Sequence, residues 1–202
     1  ARLPGQTSTI NLGVYGIEPG VVDSLGMKLL AGRNFSEANA MDDSTTPYPV
    51  DIAAEKAFVA RGTNVILSES ATKRLGFKSA QEAIGKPMQV GFTVPEAGNW
   101  VPATIVGVVA DVRYRTVREP LQPMVYFYQT RGYNRLLVRV SGDMKPIRDQ
   151  IEAIWKRLVP ELPFTAQYVT EIVHNLYNRD EKRAQLFGMF AILAAMIGCL
   201  GL

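Results

Sequence analysis

The feature that most constrains this chain is an uncharged run at its end, LFGMFAILAAMIGCLGL, residues 186–202. A helix that spans a membrane needs about 20 apolar residues, and a helix on the surface of a soluble core usually has a polar face. The run has no polar face, which favours a truncated transmembrane helix over the alternative, a fully buried C-terminal helix. The residues predicted to enter the membrane are Leu186, Phe187, Phe190, Ile192, Leu193, Met196 and Ile197.

The residues before this run predict a stalk. No Gly or Pro lies between Phe164 and Phe187, so one helix can extend from about Thr170 directly into the membrane. The charged cluster at 179–183, RDEKR, contains three basic and two acidic residues. By the positive-inside rule it favours a cytoplasmic flank, which argues against the extracytoplasmic location inferred below.

The body of the chain alternates strand and helix patterns and predicts an α+β fold. Strands are expected at 10–17, 86–92, 103–115 and 121–128, where apolar, β-branched or aromatic residues cluster. Short helices are expected to end near glycines, at 19–26, 68–76 and 79–85. Ser68 is an expected N-cap, and Ser79 with Glu82 forms an expected capping box.

A βαβ-like unit is predicted near the stalk. NRLLVRVSG (134–142) and LPFTAQYVT (162–170) are expected strands. Between them a helix is expected from the N-cap Asp143 to about Leu158. Its apolar residues fall on one face: Ile147, Ile151, Ile154, Trp155 and Leu158.

Composition and motifs exclude several kinds of chemistry. The net charge is +3 with scattered basic residues, which predicts no nucleic-acid partner. One cysteine, Cys199, and one histidine, His174, are too few for an internal disulfide or a zinc site. The patterns GxxxxGK(S/T), GxGxxG and GxSxG are absent. We therefore predict no catalytic residue, no cofactor and no metal site, and we interpret Asp42 and Asp43 as solvated loop residues.

Two further groups are candidates for binding. VRYRTVRE (112–119) is the densest basic stretch, and Arg113, Arg115 and Arg118 are its candidate contacts for an anionic partner such as lipid headgroups. The alternative is a solvated strand end. Four aromatic residues could line a pocket or fill the core: Trp100, Tyr126, Phe127 and Tyr128.

Several segments in order resemble the extracytoplasmic domain of MacB/FtsX-type ABC transporter permeases. They include LLAGRNF (29–35), LSESATKRLGF (67–77), IGK (84–86) and VGVVADV (106–112), followed by a proline before the aromatic strand. The resemblance covers nearly the whole chain from about residue 10. No motif in it is a catalytic signature, and its specificity comes from the joint order.

The resemblance implies a fold and a place in the cell. A porter-like α/β lobe, residues 1–35 and 133–176, would be interrupted by a smaller inserted α/β lobe, residues 36–132. Residues 177–202 would form the stalk end and the start of the transmembrane helix. The domain would lie on the extracytoplasmic side of the bacterial inner membrane.

The resemblance also implies a non-catalytic role. The domain would couple ATP-driven motion of transmembrane helices to a substrate or partner outside the membrane, a mechanism known as mechanotransmission. Its partners would be an ABC-type ATPase, separate or fused, a second permease copy, the lipid bilayer and a periplasmic adaptor, lipoprotein or peptide substrate. The alternative is a ligand-binding sensor domain of a membrane receptor, which an aromatic pocket around Trp100 with a polar anchor would favour. A membrane-anchored hydrolase would need clustered catalytic groups.

Overall fold

The computed structural model describes residues 1–91, 93–113, 120–132 and 135–201, with the side chains of 173–185 and of Leu193 left out. The chain divides into two compact units, Ala1–Arg139 and Val140–Leu202.

The first unit is built on a six-stranded mixed sheet. Its strands are β1 (Gly13–Ile17), β2 (Leu29–Gly32), β3 (Thr63–Ser68), β4 (Pro87–Val90), β5 (Val101–Val109) and β6 (Met124–Tyr128). The order across the sheet is β1-β6-β3-β5-β2, and β4 also pairs with β5. The predicted strands at 10–17, 86–92 and 121–128 are therefore confirmed with shorter bounds.

Strand β5 has three partners. β3 runs parallel along one edge, while β4 and β2 run antiparallel to its first and last residues. β4 pairs with Val101–Thr104 and β2 with Gly107–Val109, so these two strands share the other edge. The strand ends at Val109, earlier than the predicted residue 115.

Both faces of the sheet are covered. One core cluster includes Val65 and Leu67 of β3 and receives side chains from α3 (Glu69–Arg74) and α4 (Ala80–Ala83). The other includes Ile66 and receives Val22 from α1 (Val21–Ser24). All six residues of β3 are buried, as expected for a central strand with apolar layers on both sides.

The predicted caps are largely confirmed. The Ser68 side chain accepts a hydrogen bond from the Ala71 N–H at 3.3 Å, and Ser79 accepts one from the Glu82 N–H at 3.1 Å. The Glu82 carboxylate accepts from the main-chain N–H of Lys78 at 2.7 Å, one residue before the expected partner.

One helix of the first unit was not predicted from the sequence. Helix α2 (Ile52–Arg61) begins after Asp51, whose carboxylate accepts hydrogen bonds from the main-chain N–H groups of Ala53 and Ala54. Only Glu55 and Phe58 of this helix are buried, so its apolar face is too narrow to give a clear helical period.

The second unit contains two helices, α5 (Met144–Leu158) and α6 (Val169–Leu200). The carboxylate of Asp143 caps α5 by accepting from the Lys145 N–H at 3.0 Å, as predicted. After α5 the chain turns back, and the indole N–H of Trp155 donates to the Leu162 carbonyl at 2.9 Å. The ring of Phe164 lies 6.3 Å from that of Trp155.

The predicted strands at 134–142 and 162–170 are wrong. The described residues of the first segment, 135–142, form no strand, and 162–167 is irregular until α6 begins. A strand needs a hydrogen-bonded partner, and no strand of the described residues pairs with either segment. The predicted βαβ-like unit is therefore not formed by the described chain.

The sheet of the first unit combines strands from distant parts of the sequence. β1 and β2 come from residues 1–35 and β3–β6 from residues 36–132, while the two predicted lobes stay a prediction. The parallel pairing of β1 with β6 joins strands that lie far apart in the sequence. Such non-local pairing leaves no local sequence signal.

Gly107 in β5 gives a direct test of this sheet. A Cβ at this position would lie 2.3 Å from the main-chain oxygen of Arg33, which follows β2. Backbone atoms cannot move aside cheaply, so Gly107→Ala should destabilise the protein by about 3 kcal/mol in urea unfolding. Gly20→Ala is the control, because nothing lies within 4 Å of its Cβ, and it should cost at most about 1 kcal/mol. Equal effects for the two variants would contradict the described register.

Candidate functional site

A buried carboxylate organises the loop that follows β2. Asp42 is fully buried, and its two carboxylate oxygens accept hydrogen bonds from Arg33 Nη1 at 2.6 Å and Nη2 at 2.9 Å. The side-chain amide of Asn64 in β3 donates to Asp42 at 2.6 Å, and the main-chain N–H of Ser36 donates at 2.9 Å. The interpretation of Asp42 as a solvated loop residue is therefore wrong.

These contacts decide the ionisation of Asp42. Burial by itself raises the pKa of a carboxyl group. Hydrogen bonds from Arg33, Asn64 and the Ser36 main chain, with the charge of Arg33, outweigh burial and lower the pKa of Asp42 below its ordinary value. The charged form is thus held at neutral pH and fixes the loop to the sheet. Its neighbour Asp43 is only partly buried, and its side chain accepts from the Thr45 N–H at 2.8 Å.

A second polar junction lies where α3 begins. The Asp111 carboxylate accepts hydrogen bonds from the Ser70 hydroxyl at 2.6 Å and the Ser70 N–H at 3.1 Å. The Met124 N–H donates to the Ser68 hydroxyl at 3.0 Å. Asp111 and Met124 flank the segment 112–123, so both ends of this segment are attached within one turn of the same helix.

That segment carries the predicted basic contacts. Arg113 is exposed, while Arg115 and Arg118 lie outside the described residues. The attachment of the segment's two ends to the Ser68–Ser70 turn was not predicted from the sequence. Ser68 was recognised only as a helix cap, and its bond to Met124 joins residues 56 positions apart.

The aromatic residues divide between core and surface. Tyr126 and Tyr128 are buried in the second core cluster, where the Tyr128 ring stacks on Phe35 at 6.2 Å. Burial raises the pKa of Tyr128, with help from Glu37 and other nearby carboxylates. Trp100 is half-buried elsewhere, and the Arg2 guanidinium carbon lies 4.3 Å from its ring centroid. Trp100 thus does not share one pocket with Tyr126 and Tyr128.

Helix α6 carries the apolar run. Its described side chains in this run are exposed, including Phe187 at 72% and Ile197 at 63%. The other predicted membrane-entering side chains that the structure describes are also exposed: Leu186, Phe190, Ile192 and Met196. Leu193 lies outside the described side chains. Cys199 is an exposed free thiol.

Two features are absent from the part of the chain that the structure describes: a helix able to cross a membrane and a cluster of metal-ligating side chains. Over this part of the chain, no helix combines the length and the apolar character needed to cross a membrane. Among the same residues, no group of three or more His, Cys, Asp and Glu side chains is arranged to hold a metal ion.

The fold and these sites define an α+β domain whose described polar clusters hold loops and helix ends in place. The sequence matches the family model of the MacB-like periplasmic core domain over residues 2–154. This match spans more than half of the chain, and the chain belongs to that family. It is thereby a periplasmic component of a MacB-like ABC transporter permease.

A solved structure has a similar fold. The periplasmic region of MacB from Actinobacillus actinomycetemcomitans aligns with a TM-score of 0.51 and 19% sequence identity. The alignment covers 86% of this chain and 69% of that chain. At this identity the similarity concerns the fold alone. A search of curated protein sequences found no match.

The Arg33–Asp42 pair predicts a pH-dependent stability. Arg33→Met leaves a buried carboxylate without its cation and should lower the free energy of unfolding by about 2 kcal/mol at pH 7, less than for a fully buried pair because the Arg33 side chain is 42% exposed. Because the folded-state pKa of Asp42 is lowered, the contribution of the pair is fully present above the unfolded pKa of about 4. This stabilising contribution disappears as the pH falls through the folded-state pKa of Asp42. The difference in the free energy of unfolding between wild type and Arg33→Met should therefore narrow below pH 4.

Arg61→Met provides the matched control for urea unfolding across this pH range. Arg61 is exposed and donates to the main-chain oxygen of Asp43, so its loss leaves no buried charge. Arg61→Met should lower the free energy of unfolding by about 1 kcal/mol, with little dependence on pH. A constant difference between wild type and Arg33→Met from pH 7 to pH 3 would contradict the assignment of Asp42 as the titrating partner.

Proposed function

We propose that this domain transmits ATP-driven movement of transmembrane helices to a substrate or partner outside the membrane. The observation that carries the proposal is the family match over residues 2–154. The domain itself would perform no chemistry, and an ABC-type ATPase, separate or fused, would supply the energy. A second permease copy would complete the transporter.

The shape of α6 supports this role. Its 32 residues form one uninterrupted helix without proline, which corresponds to a length of about 48 Å. An uninterrupted helix transfers displacement along its axis, whereas a kink would absorb it. The exposed apolar run at its end would enter the lipid bilayer, with Leu186, Phe187, Phe190, Ile192, Leu193, Met196 and Ile197 as the entering residues.

The sensor alternative is not favoured by the described residues. It required an aromatic pocket around Trp100 with a polar anchor. The face of Trp100 is covered by Arg2, whose Nε also donates to Gln89 Oε1 at 2.6 Å. Tyr126 and Tyr128 belong to the core.

The proposal is tested by copurification of the full-length protein from membranes. We expect an ABC-type ATPase in stoichiometric amount, or an ATPase domain in the same chain, and a second copy of the permease. The same solubilisation with an unrelated tagged membrane protein controls for background. Recovery of a kinase or another signalling domain without an ATPase would overturn the proposal.

Membrane entry by α6 predicts a clear difference between two double variants in flotation with neutral lipid vesicles. Each charged residue placed in a membrane-embedded helix costs about 2.5–3.5 kcal/mol. Phe187→Asp with Phe190→Asp should therefore reduce flotation at least tenfold. Ile154→Asp with Leu158→Asp, at exposed positions of α5, should leave it within twofold. Equal losses in both variants would argue against entry through α6.

The basic segment is the proposed contact for an anionic partner such as lipid headgroups. Asp111 and Met124 flank this part of the chain and are bonded to Ser70 and Ser68 at the start of α3. We expect these bonds to limit the movement of the segment that carries Arg113, Arg115 and Arg118. Addition of anionic lipid to the vesicles should increase flotation of the wild type, and the increase should weaken with salt.

Replacement of all three arginines with glutamine should abolish most of that increase. The matched control replaces Arg61, Arg74 and Arg131, three arginines outside the segment, and should retain most of the increase. If both triple variants lose it equally, the effect comes from net charge and the segment has no specific role.

A further inference from the structure

The end of α1 is a junction of three segments. The main-chain oxygen of Asp23 accepts hydrogen bonds from the Gly26 N–H and from Arg139 Nη1, both at 3.0 Å. The Asp23 carboxylate accepts a weaker bond from the Asn34 side chain at 3.4 Å. The junction thus joins α1, the residues after β2 and the last residue of the first unit.

Arg139 packs closely in this junction. Gly26 has a φ of +65°, and a Cβ at this position would lie 3.2 Å from Arg139 Nη1. A guanidinium that binds the last carbonyls of a helix is a common way to satisfy them. Glycine at position 26 therefore serves both the left-handed turn and the approach of the arginine.

The junction is connected to the centre of the sheet. Val22 of α1 is almost completely buried and belongs to the core cluster that contains Ile66 and Tyr126. A displacement of α1 would therefore strain β3 and β6, because packed interiors transmit strain. In the other direction, Arg139 is followed directly by Val140, where the second unit begins.

The same junction contains an unsatisfied group. Asn34 Oδ1 is a buried acceptor that has no hydrogen-bond partner among the described residues. A buried acceptor without a partner costs about 1–3 kcal/mol, which favours any arrangement that brings a donor to it. Arg139 has five N–H donors, and the described contacts use one of them.

We propose that Arg139 is the positioning residue through which movement of α5 and α6 reaches the sheet, by exchanging its bond to Asp23 for one to Asn34. The inference rests on the proposed function, because it assigns a route to the transmitted movement. It identifies one side chain at the start of that route. Both acceptors belong to the same junction, because the Asn34 side chain also bonds to Asp23.

The test uses hydrogen exchange in the full-length transporter, with and without a non-hydrolysable ATP analogue. In the wild type, nucleotide should change the hydrogen-exchange rates of the main-chain amides at residues 140–200. It should also change the exchange rate of the Gly26 amide by about tenfold, because this amide and Arg139 donate to the same oxygen of Asp23. In Arg139→Gln the change at 140–200 should remain, while the change at Gly26 should be lost. Arg135→Gln, an exposed arginine on the same segment, should behave as the wild type.

The outcomes separate the two claims. A nucleotide-dependent change at Gly26 that survives in Arg139→Gln would overturn the assignment of Arg139 and leave the proposed function intact. The absence of any nucleotide-dependent change at 140–200 in the wild type would overturn the proposed function as well. A merely structural role would raise Gly26 exchange equally with and without nucleotide, which would also contradict the proposal.

Discussion

The pairing of β5 with three strands is the constraint on which the rest of the fold depends. β3 pairs with one edge of β5, while β4 and β2 share the other edge. β5 therefore connects three strands of the sheet. Close approach of the Arg33 carbonyl requires glycine at position 107. The same approach places the Arg33 side chain where it meets buried Asp42. A backbone requirement and an ion pair thus fix the loop after β2 together.

The sequence predicted what depends on local pattern. The caps at Ser68 and Ser79 and the strand β6 are visible because their residue types and spacing suffice. The burial of Asp42 was missed because one of its partners, Asn64, lies on another strand. Helix α2 was missed because its buried face is narrow. The strands expected beside α5 were wrong because a strand pattern does not supply a pairing partner.

The candidate sites show the same limit. The sequence identified the basic segment 112–119 but not its attachment through Asp111 and Met124, which depends on contacts across the sheet. Arg139 appeared only as part of an expected strand, and its bond to Asp23 spans 116 positions. The described polar groups with the strongest contacts hold segments of the first unit in place.

Membership of the MacB-like periplasmic family implies that the domain lies on the extracytoplasmic side, whereas the basic cluster at 179–183 favours a cytoplasmic flank. Tyr48 is 85% exposed in the first unit and offers a position for labelling. The full-length protein, with every native cysteine including Cys199 replaced by serine and with Tyr48→Cys, would be treated with a membrane-impermeant maleimide on intact spheroplasts. We predict complete labelling without lysis. Labelling that requires lysis would place the domain in the cytoplasm and contradict the account.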